Sequence, residues 1–181
     1  MILLKIIHRK IGDKKTIWLI KEILNSSYDK EPGVGIPIGN LTSQLFANIY
    51  LNELDQFIKH KLKIKYYLRY MDDFLVLGVN KKELHQNKEK MREFLREKLK
   101  LELHPKKANV FPVDKGIDFL GYRIFRNYRL LRKSTVKRFI KRIRKGKFNN
   151  QSIQSWLGYA KFGNSWRLRK NLSQKFGICL I

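Results

Sequence analysis

Apolar residues recur at helical spacing in the first part of the chain. Residues 2–11 and 15–25 each carry an apolar side chain every three or four positions, which predicts two amphipathic helices separated by a Gly-Asp break. After two polar or Gly/Pro-rich loops, a third apolar face predicts a helix capped by Thr42 or Ser43. Its buried side is expected to comprise Leu45, Phe46, Ile49, Tyr50, Leu54, Phe57 and Ile58.

Two short apolar runs flank a pair of adjacent acids. Residues 65–69 and 74–79 are rich in the aromatic and branched side chains that favour strands, and Asp72 and Asp73 lie between them. This pattern predicts a β-hairpin with both acids in its tight turn. Two like charges in one turn are costly unless a cation lies near them, so a Mg²⁺ site is one interpretation. A solvated polar turn is the other, because Asp is common in turns.

The rest of the chain predicts a small sheet and several helices. The helical patterns cover 82–100, 134–147, about 150–160 and 166–176. The extended patterns cover a short strand at 101–103, a segment at 108–111, and a strand pair or bent strand at 116–125. This order predicts an α+β fold, in which a small antiparallel sheet packs on helices and a basic helical module follows.

The charge distribution indicates a polyanionic partner. The 181 residues include 40 Lys or Arg against 15 Asp or Glu, and 17 of the basic residues lie in 119–181, where no acid occurs. A membrane surface would also attract this charge, but no apolar run approaches the length of a membrane span. The single Cys179 cannot form an internal disulfide, which fits a reducing cytoplasm.

Four short blocks follow one another along the chain. They are Gly-Ile-Pro-Ile-Gly-Asn-Leu-Thr-Ser-Gln at 35–44, Tyr-Met-Asp-Asp at 70–73, Leu-Glu-Leu-His-Pro-Lys-Lys at 101–107 and Phe-Leu-Gly-Tyr at 119–122. In this order they resemble the palm and thumb of a reverse transcriptase. The resemblance implies a partial polymerase palm over 1–127, without fingers or the first catalytic strand, and a helical thumb over 128–181.

Two finer features point to a subgroup of that family. Ile38-Gly39 followed by Ser43-Gln44 resembles the enzymes of diversity-generating retroelements, whose group II intron relatives carry Gln-Gly and Ser-Pro in those places. The Trp-rich segment over 155–169 resembles the same subgroup. A bacterial or phage protein acting in the cytoplasm is the expectation that follows.

The resemblance implies a role for each block. Asp72 and Asp73 would hold Mg²⁺, with two ions in a complete enzyme and Mn²⁺ as a substitute, and Asp72 would be the more direct ligand. Lys107 would protonate the departing pyrophosphate, with Lys106 as a chemical rival. The residues expected at the nucleotide and template are Pro37, Ile38, Gly39, Ser43 and Gln44. Those expected at the primer end, or alternatively buried in a strand, are Leu120, Gly121 and Tyr122.

The basic helix over 134–147 would lie against a nucleic-acid duplex. The side chains expected to meet phosphates are Lys137, Arg138, Lys141, Arg142, Arg144 and Lys145. Trp156, Tyr159 and Trp166 could stack on bases, although aromatic residues at helical spacing also commonly form a core. The implied partners are an RNA template, a DNA primer or RNA–DNA duplex, and dNTPs.

The resemblance places a third carboxylate on an earlier strand. Asp13 lies at a helix break and Asp29 in a polar loop, and neither follows an apolar strand, so neither replaces it. Glu53 and Asp55 are interpreted as solvated surface acids. We therefore expect a truncated or split enzyme for RNA-templated DNA synthesis, completed by an N-terminal half or an accessory retroelement protein. The alternatives are a catalytically inactive fragment that binds duplexes, and a basic structural RNA binder.

Overall fold

The computed structural model describes residues 1–26, 41–147 and 149–180. The chain divides into two compact units, Met1–Val110 and Phe111–Ile181. Both contain helices and small antiparallel sheets, so the predicted α+β class is confirmed. None of the described helices is both long enough and apolar enough to cross a membrane.

Four helices and one hairpin form the described part of the first unit. The helices are α1 (Ile2–His8), α2 (Lys14–Asn25), α3 (Leu41–Gln56) and α4 (Lys81–Phe94). A wider π-helical turn extends α3 over Phe57–Lys61 and α4 over Leu95–Leu99. The strands β1 (Tyr66–Tyr70) and β2 (Asp73–Leu77) pair in antiparallel fashion. Each of these elements matches a pattern in the sequence.

Helix α3 lies at the centre of the first unit because it contributes to both apolar clusters. One cluster joins the α3 and α4 segments to one face of the hairpin, and its members include Leu54, Ile58, Met91, Leu95, Leu99, Tyr67, Phe74 and Val76. The other joins α3 to the first two helices through Leu3, Ile7, Leu24 and Phe46. The hairpin therefore packs on the core along one face, and Asp72 at its tip is exposed.

Two details of the first unit differ from the sequence prediction. Leu45 is 57% exposed rather than buried, and Thr42 and Ser43 lie inside α3 rather than capping it. The strand expected at 101–103 does not form. The amide of Leu101 instead donates to the carbonyl of Leu95, at 3.0 Å, so Leu101 continues the end of the preceding helix and its amide is not available for a sheet.

The second unit contains a three-stranded antiparallel sheet and three helices. Its strands are β3 (Ile117–Phe119), β4 (Tyr122–Ile124) and β5 (Arg129–Leu131), paired in that order. Its helices are α5 (Lys133–Arg144), α6 (Asn150–Ala160) and α7 (Trp166–Phe176). The strand pair and all three helices were predicted, whereas β5 was not. The segment expected to be extended at 108–111 forms no strand.

The core of the second unit lies between β5 and the three helices. Its buried members are Leu131, Phe139, Trp156, Leu157, Ala160, Leu172 and Leu180. The rings of Phe139 and Trp156 stack with centroids 3.9 Å apart, which ties α5 to α6. Trp156 therefore belongs to the core, whereas Trp166 is 55% exposed. The palm and thumb boundary expected after residue 127 stays a prediction.

Candidate active site

The two central acids occupy different positions at the tip of the hairpin. The register pairs Tyr70 with Asp73, so Met71 and Asp72 form a two-residue loop and Asp73 is the first residue of β2. Both carboxylates belong to exposed residues. The prediction that the turn holds both acids is thus correct for Asp72 and off by one residue for Asp73.

Met71 adopts an unusual backbone conformation. Its φ is 55°, in the left-handed region that favours glycine. A side chain larger than that of Asn or Asp rarely occupies this region, and the conformation costs about 1–2 kcal/mol for an L-residue. The contacts around the turn must therefore stabilise it.

The two faces of the hairpin have different environments. Along β1, exposure alternates so that Tyr67 and Arg69 face the unit while Tyr66, Leu68 and Tyr70 are open. Asp73 is paired with Tyr70 and therefore lies on the open face. The acid pair thus lies at one end of an accessible aromatic and apolar surface.

The chemistry of the acid pair suits a hard divalent cation. Among the described residues, the side-chain carboxylates of Asp72 and Asp73 accept no hydrogen bond and form no ion pair. Their carboxylate oxygens therefore remain available as ligands. Mg²⁺ uses one or two carboxylates and keeps several waters or substrate oxygens. In the parts of the chain that the structure covers, no group of three or more His, Cys, Asp or Glu side chains could hold a metal. The residues present fit part of a metal site.

An ion pair beneath the turn links the hairpin to α3. Arg69 donates from Nε to Oδ1 of Asp55 at 2.8 Å and from Nη2 to Oδ2 at 2.5 Å. Tyr67 donates its hydroxyl to the same carboxylate at 2.6 Å. The expectation that Asp55 is a solvated surface acid is therefore wrong: its side chain is 22% exposed and that of Arg69 is 12% exposed. Glu53, which pairs with Arg9, is more accessible.

The environment of Asp55 shifts the ionisation of two groups. Burial raises the pKa of Asp55, but the hydrogen bonds from Arg69 and Tyr67 and the charge of Arg69 outweigh it, so the pKa lies below its usual value. Burial, followed by the bond to Asp55 and its charge, raises the pKa of Tyr67 above the usual range. Near pH 7 the carboxyl group of Asp55 is therefore ionised and the phenol of Tyr67 is neutral.

This arrangement predicts acid sensitivity. A carboxylate with a lowered pKa stabilises the fold above its unfolded pKa of 3.8, and that contribution is lost as pH falls through the folded value. Asp55→Asn should therefore reduce the free energy of unfolding by about 2 kcal/mol at pH 7, with the difference from wild type shrinking below pH ~4. Urea denaturation of wild type and Asp55→Asn at pH 7 and at pH 3 measures the difference in the free energy of unfolding. A Glu53→Gln control should show a small change, and an equal Asp55→Asn effect at pH 3 and pH 7 would contradict the assignment.

The functional roles assigned to the other residues of the first unit stay predictions. Pro37, Ile38 and Gly39 lie outside the described residues. Ser43 is half-buried and Gln44 exposed in the first turns of α3. Lys106 and Lys107 are both exposed in a turn where the amides of Lys107 and Ala108 donate to the His104 carbonyl. No described ion pair joins either lysine to the acid pair, so their roles stay predictions.

The Leu120–Gly121 turn of the second unit has an internal packing role. Phe119 pairs with Tyr122, so this is a two-residue hairpin loop, and its φ values of 47° and 83° are the positive pair that the favoured turn requires. The ring of Tyr122 stacks on Tyr159 at 4.6 Å, and its hydroxyl donates to the Tyr159 carbonyl at 2.7 Å. Tyr122 is thus half-buried against α6, and Leu120 is 41% exposed.

Helix α5 separates an apolar side from a basic one. Phe139 is buried and Val136, Ile140 and Ile143 pack beside it. The six predicted phosphate-binding side chains are all exposed: Lys137, Arg138, Lys141, Arg142, Arg144 and Lys145. The sequence therefore assigned the polarity of this helix correctly.

A cleft of 650 Å³ lies between α5 and α6. Its lining includes Arg138 and Arg142 on one side and Ser152 and Ser155 on the other. Arg142 donates from Nη2 to Oγ of Ser152 at 3.2 Å, so the two walls are connected. Sequence reasoning missed the α6 wall, although Gln151, Ser152 and Ser155 recur on one helical face. The aromatic side chains of Phe139, Trp156 and Tyr159 also line the cleft, and the two arginines and the neutral polar groups beside them suit an anionic ligand.

Residues 4–124 match the model of the reverse transcriptase (RNA-dependent DNA polymerase) family. The chain therefore belongs to this family, and the resemblance carried by the four sequence blocks is confirmed. The match includes all of α1 except its first two residues, α2–α4, the acid-tipped hairpin and the β3–β4 turn, but not the basic helices that follow.

Several curated relatives share a similar region. Protein YkfC of Escherichia coli is 26% identical over 69% of this chain and 42% of its own length. The group II intron-encoded protein LtrA of Lactococcus lactis is 27% identical over 75% of this chain and 33% of its own length. A 91 kDa protein of the Schizosaccharomyces pombe cob intron is 40% identical over 63 residues. The chain thus matches less than half the length of these relatives.

Proposed function

We propose that this chain supplies a catalytic hairpin for RNA-templated DNA synthesis, the transfer of a nucleotide from a dNTP to a primer 3′ end. The observation that carries this proposal is the pair Asp72 and Asp73, held with exposed carboxylates at the tip of a hairpin within the family-matched region. Relatives in this family that include a group II intron protein support it.

In the proposed reaction the primer 3′ hydroxyl loses its proton to solvent, its oxygen forms a bond to the α-phosphorus of the dNTP, and the bond from that phosphorus to the leaving pyrophosphate breaks. Bound Mg²⁺ would supply charge that stabilises the attacking and leaving oxygens. Asp72 would hold the metal directly, and Asp73 would support it from the first position of β2. Lys107 gives a proton to the departing pyrophosphate, with Lys106 as the alternative donor in the same exposed turn.

The remaining predicted contacts complete the substrate site. The segment through Pro37, Ile38 and Gly39, together with Ser43 and Gln44, approaches the nucleotide and template. The Leu120–Gly121–Tyr122 turn holds the primer end, with Leu120 as its exposed member. A third carboxylate comes from an N-terminal half or an accessory retroelement protein. The diversity-generating type remains our proposal for the subgroup.

Primer extension on an RNA template tests this function directly. The purified chain is incubated with an annealed DNA primer, dNTPs and Mg²⁺, alone and with the palm strand and fingers of a bacterial relative supplied as a separate polypeptide. Extension in either mixture that requires Mg²⁺ and dNTPs supports the proposal. Duplex binding without extension in both mixtures contradicts it.

A second function is a duplex-binding module without catalysis. Two observations favour it: no described cluster holds three metal-ligating side chains, and the cleft and exposed cations of α5 form a basic surface. In this case the chain binds an RNA–DNA duplex through phosphate contacts that release counterions.

Salt dependence tests the basic surface. Lys141→Gln removes one exposed charge from α5, so the slope of log K against log salt should decrease in magnitude by about 1 while the helix stays folded. Fluorescence anisotropy of a labelled RNA–DNA hybrid at several KCl concentrations measures the slope. Lys90→Gln, an exposed lysine of α4, is the matched control and should leave the slope unchanged. Equal slopes for wild type and Lys141→Gln would show that Lys141 makes no phosphate contact.

A further inference from the structure

Two residues of α3 are connected through Arg69 to the turn that carries the acid pair. Asn48 and Asp55 are seven positions apart on α3, so they lie two turns apart on the same helical face. Arg69 of β1 reaches both. Its Nη1 donates to Oδ1 of Asn48 at 2.9 Å, and its Nε and Nη2 donate to the Asp55 carboxylate.

The same guanidinium also contacts the turn itself. Nη1 of Arg69 donates to the carbonyl oxygen of Met71 at 2.9 Å. Asn48 adds a second contact, from Nδ2 to the Met71 sulfur at 3.8 Å. The backbone carbonyl and the side chain of Met71 are therefore each contacted by the Arg69–Asn48 pair. Met71 is also the residue with the left-handed φ of 55°.

We propose that Arg69, oriented by Asp55 and Asn48, is a positioning residue that locks the Met71–Asp72 turn and so fixes the two carboxylates for metal binding. The inference rests on the proposed function in assigning those carboxylates to a metal. Residues in sparsely populated backbone regions persist when the surrounding structure determines their conformation, and this network provides that constraint.

The chemistry of arginine is required at this position. A planar guanidinium has five N–H donors in fixed directions, and Arg69 uses four hydrogen bonds to join a carboxylate, an amide and a backbone carbonyl. A lysine ammonium preserves the charge but cannot span the same three acceptors in one plane. The side chains of Arg69 and Asp55 are largely shielded from water, which strengthens the pair relative to a surface ion pair.

Backbone ¹⁵N relaxation of the full chain tests the lock without any metal. In Arg69→Lys and Asp55→Asn, the order parameters of Met71 and Asp72 should fall from about 0.85, typical of rigid backbone, to below about 0.6. Asn48→Ala is a third variant, because it removes the Asn48 contacts to Arg69 and to the Met71 sulfur while leaving the Asp55–Arg69 pair and the bond from Arg69 to the Met71 carbonyl intact. The matched controls are Arg92→Lys, in an exposed pair with Glu89, and Asn52→Ala, on α3 with a bond to Gln56.

A Mn²⁺ titration of the same samples reports on the carboxylates. Paramagnetic broadening of the Asp72 and Asp73 amides should occur first in wild type, and the apparent Kd should rise about 10-fold or more in Arg69→Lys, as for other residues that orient metal ligands. Unchanged order parameters in Asn48→Ala and in every folded variant of Arg69 or Asp55 would overturn the inference. An unchanged Kd in those variants would also overturn it. If wild type shows no broadening at the turn, the proposed metal role fails, and the order parameters still decide whether Arg69 locks the turn.

Discussion

An Asp72→Asn variant is expected to lose primer extension by about a thousandfold or more. The amide preserves the size of the side chain but removes the negative charge that would hold Mg²⁺. A metal that stabilises transition-state charge contributes several kcal/mol, and each 1.36 kcal/mol corresponds to a factor of ten in rate. The fold should be retained, because no described residue donates a hydrogen bond to the Asp72 carboxylate. Steady-state extension rates, measured in the mixture with the highest wild-type activity, give the ratio.

The control for this experiment is a matched change at another exposed acid. Asp114→Asn removes an Asp that is 75% exposed and pairs with Arg126 on the surface, and it should leave the rate within about twofold. Duplex affinity should be similar in all three proteins, since Asp72 lies at the tip of the hairpin and not on basic α5. Full extension by Asp72→Asn would remove the catalytic assignment, even if Asp114→Asn were also active.

Local sequence patterns were sufficient to predict most of the elements. Apolar spacing placed α2 and the start of α5 within one residue, because each helix must bury one stripe of side chains, whereas α5 ends three residues before the predicted 147. The aromatic and branched residues of β1 and β2 placed the hairpin, and in the structure Tyr67 and Phe74 pack against the core. The acid turn could be predicted for the same reason: it is the polar interval between two such runs.

The residues that support the turn could not be predicted from spacing. Asp55 follows the apolar residue Leu54 on α3 and has the pattern of an ordinary surface acid. Its burial depends on Arg69, which is 14 residues away and reaches it only because the hairpin folds back along α3. Tyr159 is a similar case. Its helical spacing suggested a core residue, but not that its ring would cover the turn at Gly121.

The strand predicted at 101–103, which does not form, and β5, which was not predicted, have a common physical explanation. At 101–103 the apolar alternation is present, but the π-helical end of the α4 segment takes the Leu101 amide, and Leu101 itself is 37% exposed. At β5 the reverse occurs: Arg129 and Leu130 are exposed and only Leu131 is buried, so the alternation is weak although β4 supplies a pairing edge. Pairing depends on a partner strand, which a window of local sequence does not contain.

Gly121→Ala is expected to destabilise the second unit by about 2–4 kcal/mol. Its φ of 83° is strained for any residue with a Cβ, and a Cβ built there would lie 2.1 Å from Oη of Tyr159. The ring cannot swing aside cheaply, because it stacks on Tyr122 and its hydroxyl lies 3.4 Å from the Leu120 carbonyl. Chemical denaturation, followed by circular dichroism, measures the change in the free energy of unfolding.

A double variant separates the two causes of that loss. Tyr159→Phe removes the oxygen nearest to the added methyl group and leaves the ring carbon at 3.2 Å, so Gly121→Ala should cost less in the Phe background than in wild type. The remaining cost is the backbone strain at positive φ, about 1 kcal/mol. Gly163→Ala, where the nearest atom to an added Cβ lies at 3.5 Å, is the control and should be milder. Equal costs in the Tyr and Phe backgrounds would show that Tyr159 does not limit the turn, and would leave Gly121 explained by its backbone conformation alone.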